Sequence, residues 1–116
     1  MQLLPFAVLV LGLPVLLFCF LSFDDLVLFE RTRHPAEWEK DHRPRPFLRK
    51  RLQFDASLRA WLATQRCSLT WLLVTPAWAR TDPEASHLLR RHRTFVVCWC
   101  LLVVPAFALA SALAAA

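Results

Sequence analysis

"TFVVCWCLLVVPAFALASALAAA", residues 94 to 116, carries no charged side chain and stands directly behind Arg90, Arg91 and Arg93. "MQLLPFAVLVLGLPVLLFCFLSF", residues 1 to 23, is its mirror image, free of charge until Asp24 and Asp25. Rising about 1.5 Å per residue, a helix over either run reaches roughly 34 Å, against a hydrocarbon core of about 30 Å. Each run is long enough to cross a bilayer. A soluble protein would have to bury both runs under the remaining residues of a 116-residue chain, which is too little cover.

All 14 Lys and Arg lie between Arg31 and Arg93, and all nine Asp and Glu lie between Asp24 and Glu84, within the insert that separates the two runs. Basic residues beside a span stay on the cytoplasmic side. The expectation is therefore an all-α membrane protein of the bacterial inner membrane. Two transmembrane helices, 1–23 and 94–116, form a hairpin with both termini periplasmic and residues 24–93 cytoplasmic. The net charge of +5 belongs to the insert and favours the anionic inner leaflet. "MQLLP" has no basic residue, and no small-residue cleavage pattern precedes Asp24, so the first run reads as a retained span and not as a signal peptide.

Along the insert, "DDLVLFERTRH" prolongs the first helix for one or two turns. Residues 34–53 then become a loop, so that 24–53 is a juxtamembrane helix extension followed by a proline- and arginine-rich loop, because Pro35, Pro44 and Pro46 disfavour helix in the residues before them; one short turn at "PAEWEK" is the exception. The cluster Arg43, Arg45, Arg49, Lys50 and Arg51 anchors this loop to lipid headgroups. It lacks the surrounding recognition fold that nucleic acid would require. Residues 54–79 read as an amphipathic interfacial helix. Asp55 or Ser57 caps its start, and Phe54, Leu58, Trp61, Leu62, Leu69 and Leu72 lie on one side. Trp61, Trp71 and Trp78 are its expected membrane-interface anchors, joined by Arg90, Arg91 and Arg93 at the second span. On this reading the insert has no core of its own. In "TDPE", Asp82 is the N-cap and Pro83 the first residue of a helix whose cytoplasmic start, 82–93, leads into the second span. Pro14 and Pro105 are expected to kink the two spans.

If the spans pack antiparallel, Asp24 and Asp25 meet Arg91 and Arg93 as ion pairs at the membrane edge. Ala108, Ala110, Ser111 and Ala112 offer a small-residue surface on which another helix can pack closely. The chemistry-bearing residues point to no reaction. There is no nucleophile motif, no HExxH and no glycine-rich phosphate loop, Gly12 being the sole glycine. Catalytic residues, metal ligands and cofactors are accordingly expected to be none. The two thiols of Cys98 and Cys100 point about 200° apart on a helix, and His87 and His92 about 140° apart, neither of which suits a chelate.

Two stretches, "LVLFERTRHPAEW" after the first span and "WARTDPEASHLLRRHRTFVV" entering the second, resemble the universal stress protein B family of small bacterial inner-membrane proteins. The likeness covers most of the chain in layout and about 30 residues closely. "RPRPF" and "WLATQRCSLTW" depart from it. The resemblance implies an accessory or stress-associated membrane role and carries over no catalytic residue.

The sequence therefore favours a non-enzymatic membrane protein that docks to a larger inner-membrane complex, or to a second copy of itself, without binding nucleic acid. A haem-binding or redox subunit using His34, His42 or His87 is one alternative. A stress protein acting alone on the lipid surface is another.

Overall fold

A computed structural model describes residues 3–116. Five helices and one 3-10 turn follow in order: α1 (Leu3–Arg33), α2 (Pro35–Lys40), the turn Arg51–Gln53, α3 (Leu58–Leu73), α4 (Ala77–Thr81) and α5 (Pro83–Ala115). No strand occurs among the described residues. Two of the helices, α1 and α5, are long and apolar enough to cross a membrane.

The termini of these helices follow from local chemistry. Asp82 accepts the Glu84 N–H at 3.1 Å and Pro83 opens α5, so the orphan donors of the first turn are partly met. Ser57 accepts the Ala60 N–H at 3.2 Å and starts α3, while Asp55 accepts the Ser57 N–H at 3.0 Å. Both Pro14 and Pro105 lie inside continuous helix.

Contacts between α1 and α5 run in opposite chain directions. Gly12 faces Val103, and a β-carbon at Gly12 would meet the Val103 Cγ2 at 3.2 Å. Phe18 stacks on Phe95 with ring centres 5.5 Å apart, Ser22 bonds His92, Asp25 pairs with Arg91, and Arg33 reaches Glu84. Each step up α1 meets an earlier residue of α5, so the helices are antiparallel.

Four features depart from the sequence reading. First, α1 continues to Arg33, nearly three turns past Phe23, because Leu26, Val27 and Phe29 have something to pack on. Second, residues 54–79 do not form one helix. Val74 turns extended two residues ahead of Pro76, and a separate short helix begins at Ala77.

Third, α3 buries its small side. Ala60, Ala63, Thr64, Cys67 and Trp71 point inward, whereas Leu58, Leu62, Leu69 and Leu73 are more than half exposed. Fourth, the insert does have a core, shared with the ends of the long helices. Phe23, Leu26, Val27 and Phe29 of α1 meet Cys67 and Trp71 of α3, Trp78 and Ala79 of α4, and Ala85 and Leu89 of α5. Small residues on α3 let its backbone approach α1, and the bulky Trp71 and Trp78 fill what remains, their rings meeting edge to face at 5.7 Å.

Burying one large apolar side chain stabilises by about 1.5–3 kcal/mol, and an exposed ion pair by about 0–1 kcal/mol. The shared core, not the charged pairs at the ends of the apolar runs, therefore holds the insert to the long helices.

Candidate functional site

Three buried polar arrangements cluster where the apolar runs give way to the charged insert. The first is built on Asp24, which is fully buried. Its carboxylate accepts the backbone N–H groups of Phe47, Leu48 and Arg49 at 2.5, 2.8 and 2.9 Å. Burial pushes this carboxyl above the usual range, and the three N–H groups pull it back. Thr64 fixes the preceding residues of the loop. Its Oγ1 accepts the Arg45 N–H at 2.8 Å, and its hydroxyl proton is shared between the Arg45 and Ala60 carbonyls. With Pro44 and Pro46 also buried, the arginine-rich loop is clamped along its backbone while its cationic side chains at Arg43, Arg49, Lys50 and Arg51 stay exposed.

Second, Asp25 binds the Arg91 guanidinium and lies 3.5 Å from Arg49 Nε. One turn deeper, Ser22 Oγ and His92 Nδ1 are 2.8 Å apart and both side chains are buried. His92 Nε2 has no hydrogen-bond partner. Beside them α1, α3, α5 and the loop residue Phe47 line a half-open cavity of about 420 Å³. Phe20, Phe23, Phe47 and Trp99 are among its walls, and Gln65 and Ser68 lie on the α3 side.

Third, Glu30 is wholly buried at the far end of α1. Burial pushes its carboxyl up to about 9, and the neighbouring Asp41 and Glu37 carboxylates push in the same direction. Neither Glu30 oxygen has a donor beside it, which is the expected result for two facing carboxylates that lack a shared proton. At neutral pH Glu30 carries that proton and donates it to Asp41. Burial raises Asp41 as well, and the Glu30 hydrogen bond opposes the rise. The adjacent Cys67 thiol is driven up by burial and by both carboxyls, so it stays protonated and unreactive.

The residues singled out in the sequence are divided among these arrangements. Of the expected ion pairs, the structure forms Asp25–Arg91. Asp24 serves the loop backbone instead, and Arg93 donates from Nε to the Trp71 carbonyl at 2.9 Å. Among the expected interface anchors, Trp61 is 45 % exposed, but Trp71 and Trp78 are 3 % and 5 % exposed and belong to the core. Arg90 is exposed, and its carbonyl accepts the Thr94 hydroxyl. Ala108, Ser111 and Ala112 are exposed and Ala110 half-buried.

The histidines weighed as haem ligands have separate surroundings. His34 lies 3.4 Å from Asp82, against Trp78 and Phe29, His42 lies 3.4 Å from Arg59, and His87 is exposed. Among the described residues no group of three His, Cys, Asp or Glu side chains converges on a common metal position.

Sequence reading missed Glu30 and Ser22, and weighed His92 only as half of an unsuitable chelate with His87. The sign for Glu30 was its place in "LVLFE", at helical spacing from Leu26 and Val27. Ser22 and His92 are 70 residues apart, and neither has a local signal. The chain matches no protein-family model, no curated protein and no solved structure.

Proposed function

We propose that the protein is a non-enzymatic, multi-pass protein of the bacterial inner membrane that docks as an accessory component to a larger membrane complex. In this reading α1 and α5 are a transmembrane hairpin, both termini are periplasmic, and residues 24–93 form a compact head on the cytoplasmic leaflet. The stress association implied by the likeness to the universal stress protein B family belongs to the same proposal.

The observation that carries it is the distribution of apolar surface. Within their most apolar windows only 22 % of α1 and 6 % of α5 is buried, and α3 turns Leu58, Leu62, Leu69 and Leu73 outward. So much exposed apolar surface on one small chain requires lipid or protein against it. The α3 face supports an interfacial position, with the clamped arginines of the loop at the same leaflet.

Placement of α3 is read by fluorescence in liposomes. Trp61 is expected to be quenched by a lipid-attached quencher, while Trp71 and Trp78, inside the core, resist both lipid-attached and aqueous quenchers. Free quenching of Trp61 from water alone would remove α3 from the membrane surface.

Docking is read in native membranes. In hydrocarbon, close packing at small residues supplies part of helix association. Ala108→Leu with Ala112→Leu is therefore expected to leave insertion intact, with a reporter at Ala116 still outside the cytoplasm, but to cut crosslinked partner recovery severalfold. Crosslinking only to a second copy would replace the complex by a homo-oligomer, and identical recovery from both proteins would end the docking reading.

A further inference from the structure

We infer that the groove between Arg49, Arg91 and the Phe18–Phe95 stack is a discrete site for one anionic phospholipid, whose phosphate the two guanidinium groups share. The inference rests on the membrane placement of the proposed function and needs no docking partner. Asp25 organises the site, because its two carboxylate oxygens face different arginines. Oδ2 binds Arg91 Nη2, and Oδ1 lies 3.5 Å from Arg49 Nε. Asp25 is the only acid among the groove's described walls, so two guanidinium cations against one carboxylate leave a positive charge unmatched. Each guanidinium has five N–H donors, more than Asp25 engages. With side chains 49 % and 40 % exposed and both lining the groove, Arg49 and Arg91 can offer the rest of each fork to a second anion.

Arg49 is held in place before any ligand arrives. Its backbone N–H donates to the buried Asp24 at 2.9 Å, so adjacent carboxylates of α1 secure it through both main chain and side chain. Ordering of that part of the loop is thus completed in folding and costs little on binding. Guanidinium forks match phosphate oxygens in shape as well as charge.

The other walls set the class of ligand. Phe18 and Leu21 of α1 and Phe95 of α5 line the same groove of about 230 Å³, and Phe18 is half exposed. Along α1, Phe18 lies two helical turns, about 10 Å, from Asp25. One end of the groove is therefore cationic and the other hydrocarbon, in the order in which a phospholipid presents its phosphate and the roots of its chains. A soluble phosphate would leave the aromatic end unused. Phosphatidylcholine has the same phosphate but brings a quaternary ammonium towards two arginines, a like-charge approach that an anionic headgroup avoids.

The test uses the full chain in uncharged maltoside micelles, titrated with phosphatidylglycerol and with phosphatidylcholine of identical chains, bound lipid being counted by native mass spectrometry. One phosphatidylglycerol is expected to be retained about fivefold more tightly than phosphatidylcholine, the effect of about one basic side chain on an anionic headgroup. Arg49→Gln keeps the backbone contact with Asp24 and is expected to abolish that preference, as is Arg91→Gln; the Arg49 variant decides even if the Arg91 variant fails to fold. Arg51→Gln removes the same charge from an exposed position outside the groove and is expected to change nothing. Inorganic phosphate at the lipid's concentration is expected not to displace it. The inference is overturned if the two lipids bind equally, if Arg51→Gln loses as much preference as Arg49→Gln, which would assign the effect to diffuse charge, or if inorganic phosphate displaces the lipid, which would assign the arginines to a soluble anion. Loss of crosslinked partners with intact lipid preference would count against docking alone, and partners retained without the preference would strike this site alone.

Discussion

Glu30→Gln is expected to stabilise the protein at pH 7 by about 3 kcal/mol. In the folded chain burial holds the Glu30 carboxyl near 9, against an ordinary value of 4.5. A carboxyl raised on folding binds a proton that the unfolded chain releases. Its contribution is fully present below pH 4.5 and declines as pH rises, until the folded form itself ionises near pH 9. At pH 7 the decline spans about 2.5 pH units, or about 3 kcal/mol at 1.36 kcal/mol per unit.

Gln reproduces the shape of protonated Glu and offers an amide N–H to Asp41, but needs no proton. The wild-type thermal midpoint in micelles should therefore fall between pH 5 and pH 9, and that of Glu30→Gln should fall much less. Parallel pH profiles for the two proteins would show that Glu30 is ionised, or solvated, in the folded state.

Asp24→Ala is expected to destabilise the head by about 3–5 kcal/mol, and the neighbouring Asp25→Ala by about 1 kcal/mol or less. The contrast rests on what each carboxylate holds. Asp24 is wholly buried and accepts three backbone N–H groups, each of which costs about 1–3 kcal/mol if left unmet in the interior. Partial relaxation of the loop into water keeps the sum below the maximum. Asp25 is part of a half-exposed pair with Arg91, worth about 0–1 kcal/mol.

Trypsin reads the difference directly, because Arg49, Lys50 and Arg51 lie in the clamped loop, whereas Arg43 and Arg45 are each followed by a proline that blocks cleavage. A change of 3 kcal/mol in local opening raises the open population by roughly two orders of magnitude, and cleavage that is slow relative to reclosing follows it. Equal cleavage rates for Asp24→Ala and wild type would mean that the clamp does not secure the loop. Asp24→Asn, which keeps one acceptor oxygen, should fall between them.

Much of the helical layout was legible without coordinates. Charge-free runs flanked by Asp24 and Arg93 mark the two long helices, "TDPE" marks the start of α5, and Ser57 marks the start of α3. Those signals are local: a cap, a proline, a boundary between charge and hydrocarbon. What escaped was decided by tertiary contact. In "LRAWLATQRCSLTWLL" the bulky residues form the obvious apolar stripe, yet Ala60, Ala63, Thr64 and Cys67 face the protein.

A pattern of hydrophobicity shows that a stripe exists but not which neighbour covers it. Asp24 and Asp25 look alike in sequence. Only the path of the loop sends one to backbone N–H groups and the other to an arginine. The Ser22–His92 pair required knowing the register of α1 on α5, which no residue near either announces.

Ser22 is satisfied by its own helix, its hydroxyl donating to the Cys19 carbonyl one turn back. Its partner His92 is made 70 residues later, so in the proposed transmembrane reading a nascent α1 spends an interval in the bilayer without α5. A hydroxyl returned to its own backbone leaves no stray donor in hydrocarbon during that wait. When His92 follows, it meets an oxygen with a lone pair still free. At this position the helix synthesised first thus needs nothing from α5.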